Sequence, residues 1–204
     1  DYEALREHPP VEPLDLAVVV KTLERLAPPD AIYTNGAGNF AGWLHRYMRY
    51  GAIARHGKTQ LAPTAGSMAA SLVQPHRVAI NLSGDGDFLM NGQELATAMA
   101  HGAGRLISIV VDNGGYGTIR MHQERAYPGR TSGTLLANPD FAALARAYGW
   151  AAATVEHTEQ FEPAFRAALD SGHPTLLHLR LDPDVSHTRG TLSGIRGAAL
   201  ARQA

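Results

Sequence analysis

The sequence predicts an α/β fold: a doubly wound parallel sheet of about six strands with helices on both faces. Three observations carry this reading. Short apolar runs rich in β-branched residues alternate with helical patterns along the chain. One run, Leu106–Val111, is apolar almost throughout, as a strand buried on both faces should be. Two of the runs end in glycine-rich turns carrying Asp and Asn, where an open parallel sheet places its ligands.

In chain order, a helical pattern spans about Leu14 to Leu26, and Ala31–Thr34 is the first strand run. Val78–Leu82 is the next strand, followed by a helical pattern from Gln93 to His101 and the strand Leu106–Val111. The stretch Gly117–Ala137 shows little periodicity and reads as a long loop, of the kind that is most often functional. Asn138-Pro139-Asp140 then opens a helix, with Asn138 as cap and Pro139 at the first helical position. Phe141, Leu144, Ala145 and Tyr148 recur at helical spacing, and Gly149 sits where that helix should stop. The run Ala152–Val155, a helix over Gln160–Leu169 and the run Thr175–Leu181 complete the pattern, with no internal repeat and no low-complexity linker.

The 204 residues suffice for one ordinary domain with a real core, and 45% apolar with 18% charged residues is a soluble globular balance. No apolar run approaches the ~18–20 residues of a membrane span. The first residues carry no basic-then-apolar leader pattern, so cytoplasm is the default expectation. A formal net charge of −1 with no basic stripe argues against nucleic acid as a partner. There are no cysteines, which excludes disulfides, thiolate catalysis and thiolate-bound metals. The histidines show no ligand spacing. His45, His56, His101, His173, His178 and His187 read as surface or packing residues, and Glu94 as a structural helix residue.

The chemistry lies at the strand ends. Val78–Leu82 runs into Ser83-Gly84-Asp85-Gly86-Asp87, and Leu106–Val111 into Asp112-Asn113-Gly114-Gly115-Tyr116. If these strands are neighbours, Asp85 and Asn113 point into one crevice, flanked by glycines that let backbone approach a ligand. A carboxylate, an amide oxygen and a backbone carbonyl form a hard-oxygen set suited to Mg²⁺ with phosphate co-ligands. A helix beginning near Asn91 would offer free N–H groups to those phosphates.

Gly84-Asp85-Gly86, followed after Asp87–Asp112 by Asn113, resembles the fingerprint of thiamine-diphosphate enzymes. Phe88–Ala98 is similar to the helix that family places between. Tyr33–Phe40 resembles its first diphosphate-contacting turn, and Trp43 fits the acetolactate-synthase-like pattern after it. Ala62–Met68 resembles its aminopyrimidine-contacting segment, and Pro139–Gly149 its later helix. The resemblance covers roughly residues 10–185 and implies the following roles. Asp85 and Asn113 would ligate Mg²⁺ by side chain and Gly115 by its carbonyl. Gly38, Asn39, Gly86 and Asp87 would face the diphosphate. Gly66 would meet the aminopyrimidine and Met68 would buttress the bent cofactor, while Phe40, Ser67, Gly84 and Tyr116 complete the candidate set. The implied activity is decarboxylation or carboligation of a small 2-oxo acid, as in the large chain of acetolactate synthase. The cofactor would carry the chemistry and the protein would bind and bend it.

Three positions depart from the family pattern. Asp87 stands where many relatives carry a small hydroxyl residue, and a second carboxylate beside a diphosphate repels it unless a metal or helix end compensates. His122 stands where acetolactate synthases carry a substrate-shaping Trp, which makes it a candidate substrate contact. Met68 runs straight into Ala69-Ala70-Ser71-Leu72. The pattern has roughly eight to ten more residues there, so an interruption at Met68–Ala69 is expected, with only a short helix remaining beside the usual ~11–12 residues. The rivals are another decarboxylase of this family (benzoylformate or oxalyl-CoA type), a phosphohydrolase using Asp85, and a non-catalytic Mg-nucleotide-binding domain. The resemblance also implies a separate pyrimidine-binding domain supplying the activating carboxylic acid. A partner subunit or a longer chain assembled as a dimer or tetramer is therefore expected, and the 204-residue chain alone should be catalytically silent.

Overall fold

The computed structural model describes residues 7–49, 63–188 and 190–203. His56 and Ala62, both named above, lie outside them. Five strands among the described residues form the sheet: β1 (Ile32–Asn35), β2 (Ala79–Gly84), β3 (Leu106–Asp112), β4 (Ala151–Val155) and β5 (Thr175–Arg180). Their order is β1-β2-β3-β5-β4 and every pairing is parallel. Among the described residues the sheet thus has five strands where about six are expected, and the short β6 (Val185–His187) and β7 (Gly190–Thr191) form a separate antiparallel pair.

Alternation along the strands sorts the core into two layers, because successive side chains point to opposite faces. Ile80, Leu82, Ile107, Ile109, Leu177 and Leu179 face one layer, beneath α1 (Leu16–Leu26), α2 (Ala41–Tyr47) and α8 (Thr158–Ser171). Ala79, Leu106, Val110 and Leu176 face the other. There they meet Phe88 of α4 (Asp85–Asn91), Leu95 of α5 (Glu94–Ala100) and Phe141 of α7 (Phe141–Ala147). Met68 of α3 (Pro63–Val73) packs on this second layer too. From β1 to β4 the chain moves across the sheet with α3, α4, α5 and α7 on one face. It reverses from β4 to β5 through α8 on the opposite face, as right-handed crossovers require. Asp15 caps α1, its Oδ1 accepting the Ala17 N–H at 2.8 Å.

Four expectations are corrected. Gly117–Ala137 is not a loop throughout, since Gly117–Ala126 forms α6. Its inward face is Met121 and Glu124 rather than an apolar stripe, and Glu124 is matched by Arg196 of α9 (Leu192–Ala201), so no hydrophobic period marks it. The cap of α7 is Asp140, whose Oδ1 accepts the Ala143 N–H at 3.0 Å, and not Asn138. The helix offered to the cavity is α4, which begins at Asp85 and ends at Asn91 instead of starting there. Finally, α3 runs without a break across Met68 and Ala69, and Ser71 Oγ donates to the Met68 carbonyl at 2.9 Å.

Candidate functional site

Because β2 and β3 are paired with Gly84 opposite Val111, their C-terminal turns leave the sheet side by side. The turn after β1 joins them, and together they wall a cavity of about 230 Å³. Ten of the candidate residues line it. Gly38, Asn39 and Phe40 come from the turn after β1, Gly84 and Asp85 to Asp87 from the start of α4, and Asn113, Gly115 and Tyr116 from the turn after β3. Gly66, Ser67 and Met68 do not line it. They sit in α3, with Ser67 buried and its Oγ donating to the Thr64 carbonyl at 2.9 Å. His122 lies exposed on α6, outside the cavity wall.

Within the cavity, Asp85 and Asn113 converge on one backbone amide. The Gly115 N–H reaches Asp85 Oδ2 at 3.1 Å and Asn113 Oδ1 at 3.3 Å. Asp85 Oδ1 accepts the Gly86 N–H at 2.9 Å, and Oδ2 also accepts from Asn138 Nδ2 at 2.8 Å. A carboxylate offers about four acceptor positions, so three donors leave room for one further ligand. The Gly115 carbonyl accepts the Gly117 N–H at 2.8 Å and keeps its second lone pair. Gly115 must be glycine, because a Cβ there would stand 2.5 Å from the Thr134 carbonyl oxygen.

Burial pushes the Asp85 carboxyl up to about 6, against hydrogen bonds from Asn138 and Gly86 that pull it down. Burial also raises Asp87, while the backbone N–H groups of Gly84 and Ala37 oppose the rise. Asp87 Oδ2 is buried without a partner at the cavity wall, and a Cβ on Gly36 would lie 1.9 Å from it. An orphaned carboxylate oxygen on a residue that lines the same cavity as Asp85 and Asn113 fits a cation-held ligand. Among the described residues no cluster of three His, Cys, Asp or Glu could hold a metal by itself, so phosphate oxygens or water would complete the shell.

Several residues at the site carried no sequence signal. Thr118 Oγ1 accepts the Asn39 N–H at 3.0 Å and ties α6 to the turn after β1. Ser186 and Val185 of β6 close one wall, and the buried Ser186 Oγ has no partner. Asn138, read as a helix cap, is drawn to Asp85 and Asp112. His178, read as packing, is fully buried and bonded to Asp112 at 2.9 Å. Only proximity in three dimensions could have found them.

A parallel sheet with a glycine-walled, carboxylate-bearing cavity at its carboxyl edge is an α/β domain with its cavity where that class of fold holds its ligands. The family described as thiamine pyrophosphate enzyme, C-terminal TPP binding domain, matches residues 36–179, and the chain belongs to that family. It is 32% identical over 169 residues to the catabolic acetolactate synthase of Raoultella terrigena, covering 80% of this chain and 30% of that protein. With an acetolactate synthase large subunit of Parasynechococcus marenigrum it shares 31% over 183 residues, 85% of this chain and 29% of that one. With a pyruvate oxidase of Lactiplantibacillus plantarum it shares 30% over 172 residues, 82% of this chain and 28% of that one. The chain therefore spans about three tenths of the length of these curated relatives. No helix among the described residues is long and apolar enough to cross a membrane.

Proposed function

We propose that this chain is the diphosphate-holding domain of a 2-oxo-acid decarboxylase or carboligase of the acetolactate-synthase kind, with Mg²⁺ held by Asp85, Asn113 and the Gly115 carbonyl. The observation that supports it most is the convergence of the Asp85 and Asn113 oxygens on one amide inside the cavity. When bound, thiamine diphosphate supplies an electron sink for carbon–carbon bond cleavage and formation next to a carbonyl. The protein's part is to grip and orient. Asp85 and Asn113 present hard oxygens to the cation, and the glycine turns at Gly38, Gly84 and Gly86 let the diphosphate approach backbone N–H groups. Asp87 sits in the first turn of α4, where the helix end and the cation offset its charge against the diphosphate. Gly66, Ser67 and Met68, lying on α3 away from the cavity, would meet the far end of the cofactor rather than its diphosphate.

The cavity is smaller than the ~300–1,000 Å³ of a complete small-molecule pocket. Leu89, Met90, Tyr116, Ile119 and Leu135 stand exposed on and after the elements that form it. Both features support a site completed by a pyrimidine-binding domain, on a longer chain or a partner subunit of a dimer or tetramer.

Trp43 lines the cavity and reports on it. Thiamine diphosphate with Mg²⁺ should quench its fluorescence, and neither the Asp85→Ala variant nor a Mg-nucleotide should reproduce the effect. An equal quench by Mg-ADP would favour a nucleotide-binding domain. Once the pyrimidine-binding domain is supplied, product analysis with pyruvate, alone and with a second carbonyl, separates carboligase from decarboxylase.

A further inference from the structure

Asn138 stands 53 residues from Asp85 in sequence, and its side chain reaches the Asp85 carboxylate all the same. Its Nδ2 lies 2.8 Å from Asp85 Oδ2 and 2.7 Å from Asp112 Oδ1, so the two amide hydrogens are shared between two carboxylates. The reverse orientation would aim the amide oxygen at two acidic oxygens, and chemistry excludes it. Asp112 is held in turn. Its Oδ1 also accepts the Gly114 N–H at 3.0 Å, and its Oδ2 is bonded by His178 Nε2 at 2.9 Å. His178 is fully buried in β5, packed edge-on against Phe141, with its Nδ1 3.8 Å from Asp140 Oδ1. A continuous chain thus runs from the sheet interior to the cavity: His178 to Asp112, to Asn138, to Asp85.

We propose that Asn138 is a positioning residue for the cation site: it fixes the Asp85 carboxylate, and Asp112 and His178 fix Asn138. The inference rests on the reading of Asp85 as a metal ligand. Asp85 Oδ2 already takes the Gly115 N–H, and the Asn138 hydrogen bond fills the remaining side of that oxygen. The free acceptor position is thereby left on Oδ1, which takes only the Gly86 N–H, and Asp85 lines the cavity together with Asn113. Asn138 also gives the Asp85 and Asp112 carboxylates a shared donor, which offsets the repulsion between them. Outer partners that orient ligating carboxylates commonly change metal affinity as much as weak ligands do.

The test is Mn²⁺ uptake by the whole chain with saturating thiamine diphosphate, read from the paramagnetic resonance of free Mn²⁺. Asn138→Ala should raise the Mn²⁺ dissociation constant about 10–100-fold, while the metal-free chain still melts in one cooperative transition. His178→Phe, which leaves Asp112 Oδ2 without that donor, should weaken Mn²⁺ binding less than Asn138→Ala, and His178→Gln should restore part of the loss. If Asn138→Ala does not fold, Asn138→Ser is measured in its place. A folded Asn138 variant that binds Mn²⁺ within twofold of the parent overturns the proposal. So does a series in which no Asn138 variant folds, because the residue would then serve the fold rather than the ligand. Failure of the unaltered chain to take up Mn²⁺ would instead sink the assignment of Asp85 as a ligand.

Discussion

Asp85 is buried, carries three hydrogen-bond donors and still has a carboxyl raised to about 6. Its folded value lies above the ordinary 3.8, so the folded state favours the proton. Stability from this group is fully present below pH ~4 and is lost as pH rises through ~6. Chemical denaturation of the ligand-free chain at pH 4 to 8 should show that loss, of order 1–3 kcal/mol. Asp85→Asn should flatten this component of the profile, and an equal loss in the variant would contradict the assignment. Mg²⁺ with thiamine diphosphate should restore stability above pH 6, since a cation compensates the buried charge. Gly115 admits a second residue-scale prediction. Gly115→Ala sets a Cβ against the Thr134 carbonyl and should cost about 1–3 kcal/mol by overpacking, read as a lowered melting temperature. Asp85, Asn113 and the glycines were legible because close backbone approach and hard-oxygen ligation restrict residue choice. Asn138 and His178 were not, because neither residue type nor spacing announces a partner on another strand.

Among the elements, the five strands match their sequence runs to within one or two residues, and in β2, β3 and β5 burial on both faces leaves near-continuous apolar stretches. The second helix layer follows the same logic in α5 and α7. In α6 that logic fails, because its contact with α9 is an ion pair. Glu124 is fully buried, accepts the Gly129 N–H at 2.9 Å and is bonded by the Arg196 guanidinium, which holds its carboxyl down at about 2. This depressed value adds stability above pH ~4.5 that is lost as pH falls toward ~2. Arg196 is partly exposed, so screening limits the gain to about 1–2 kcal/mol. Glu124→Gln should destabilise the chain by that order at pH 7 and by much less at pH 2, as measured by urea denaturation at both pH values. Gly117, Thr118 and Ile119 at the start of α6 line the cavity, so the same variant should weaken cofactor binding as well. The misread cap of α7 has a related cause. Asn138 is taken by the acidic pair, and Asp140 assumes the capping role.

At the scale of the whole molecule, the family membership and the strand order agree with the doubly wound fold read from the sequence, with five strands among the described residues in place of about six. The site is walled by three turns at one edge of the sheet, and the exposed Leu89, Met90 and Leu135 stand on elements at that edge or just beyond. On the proposed reading the chain alone turns over no pyruvate with thiamine diphosphate and Mg²⁺ present, and activity appears when a pyrimidine-binding domain is added. Turnover by the chain alone would contradict this and demand an internal acid. Glu124 is already committed to Arg196, which leaves Glu94 as the residue to examine. The most direct measurement for the central claim is a calorimetric titration of the chain with thiamine diphosphate, with and without Mg²⁺, repeated on Asp85→Ala. The account expects saturable binding that requires the cation and is lost in the variant. Equal binding without Mg²⁺, or undiminished binding by Asp85→Ala, would contradict it.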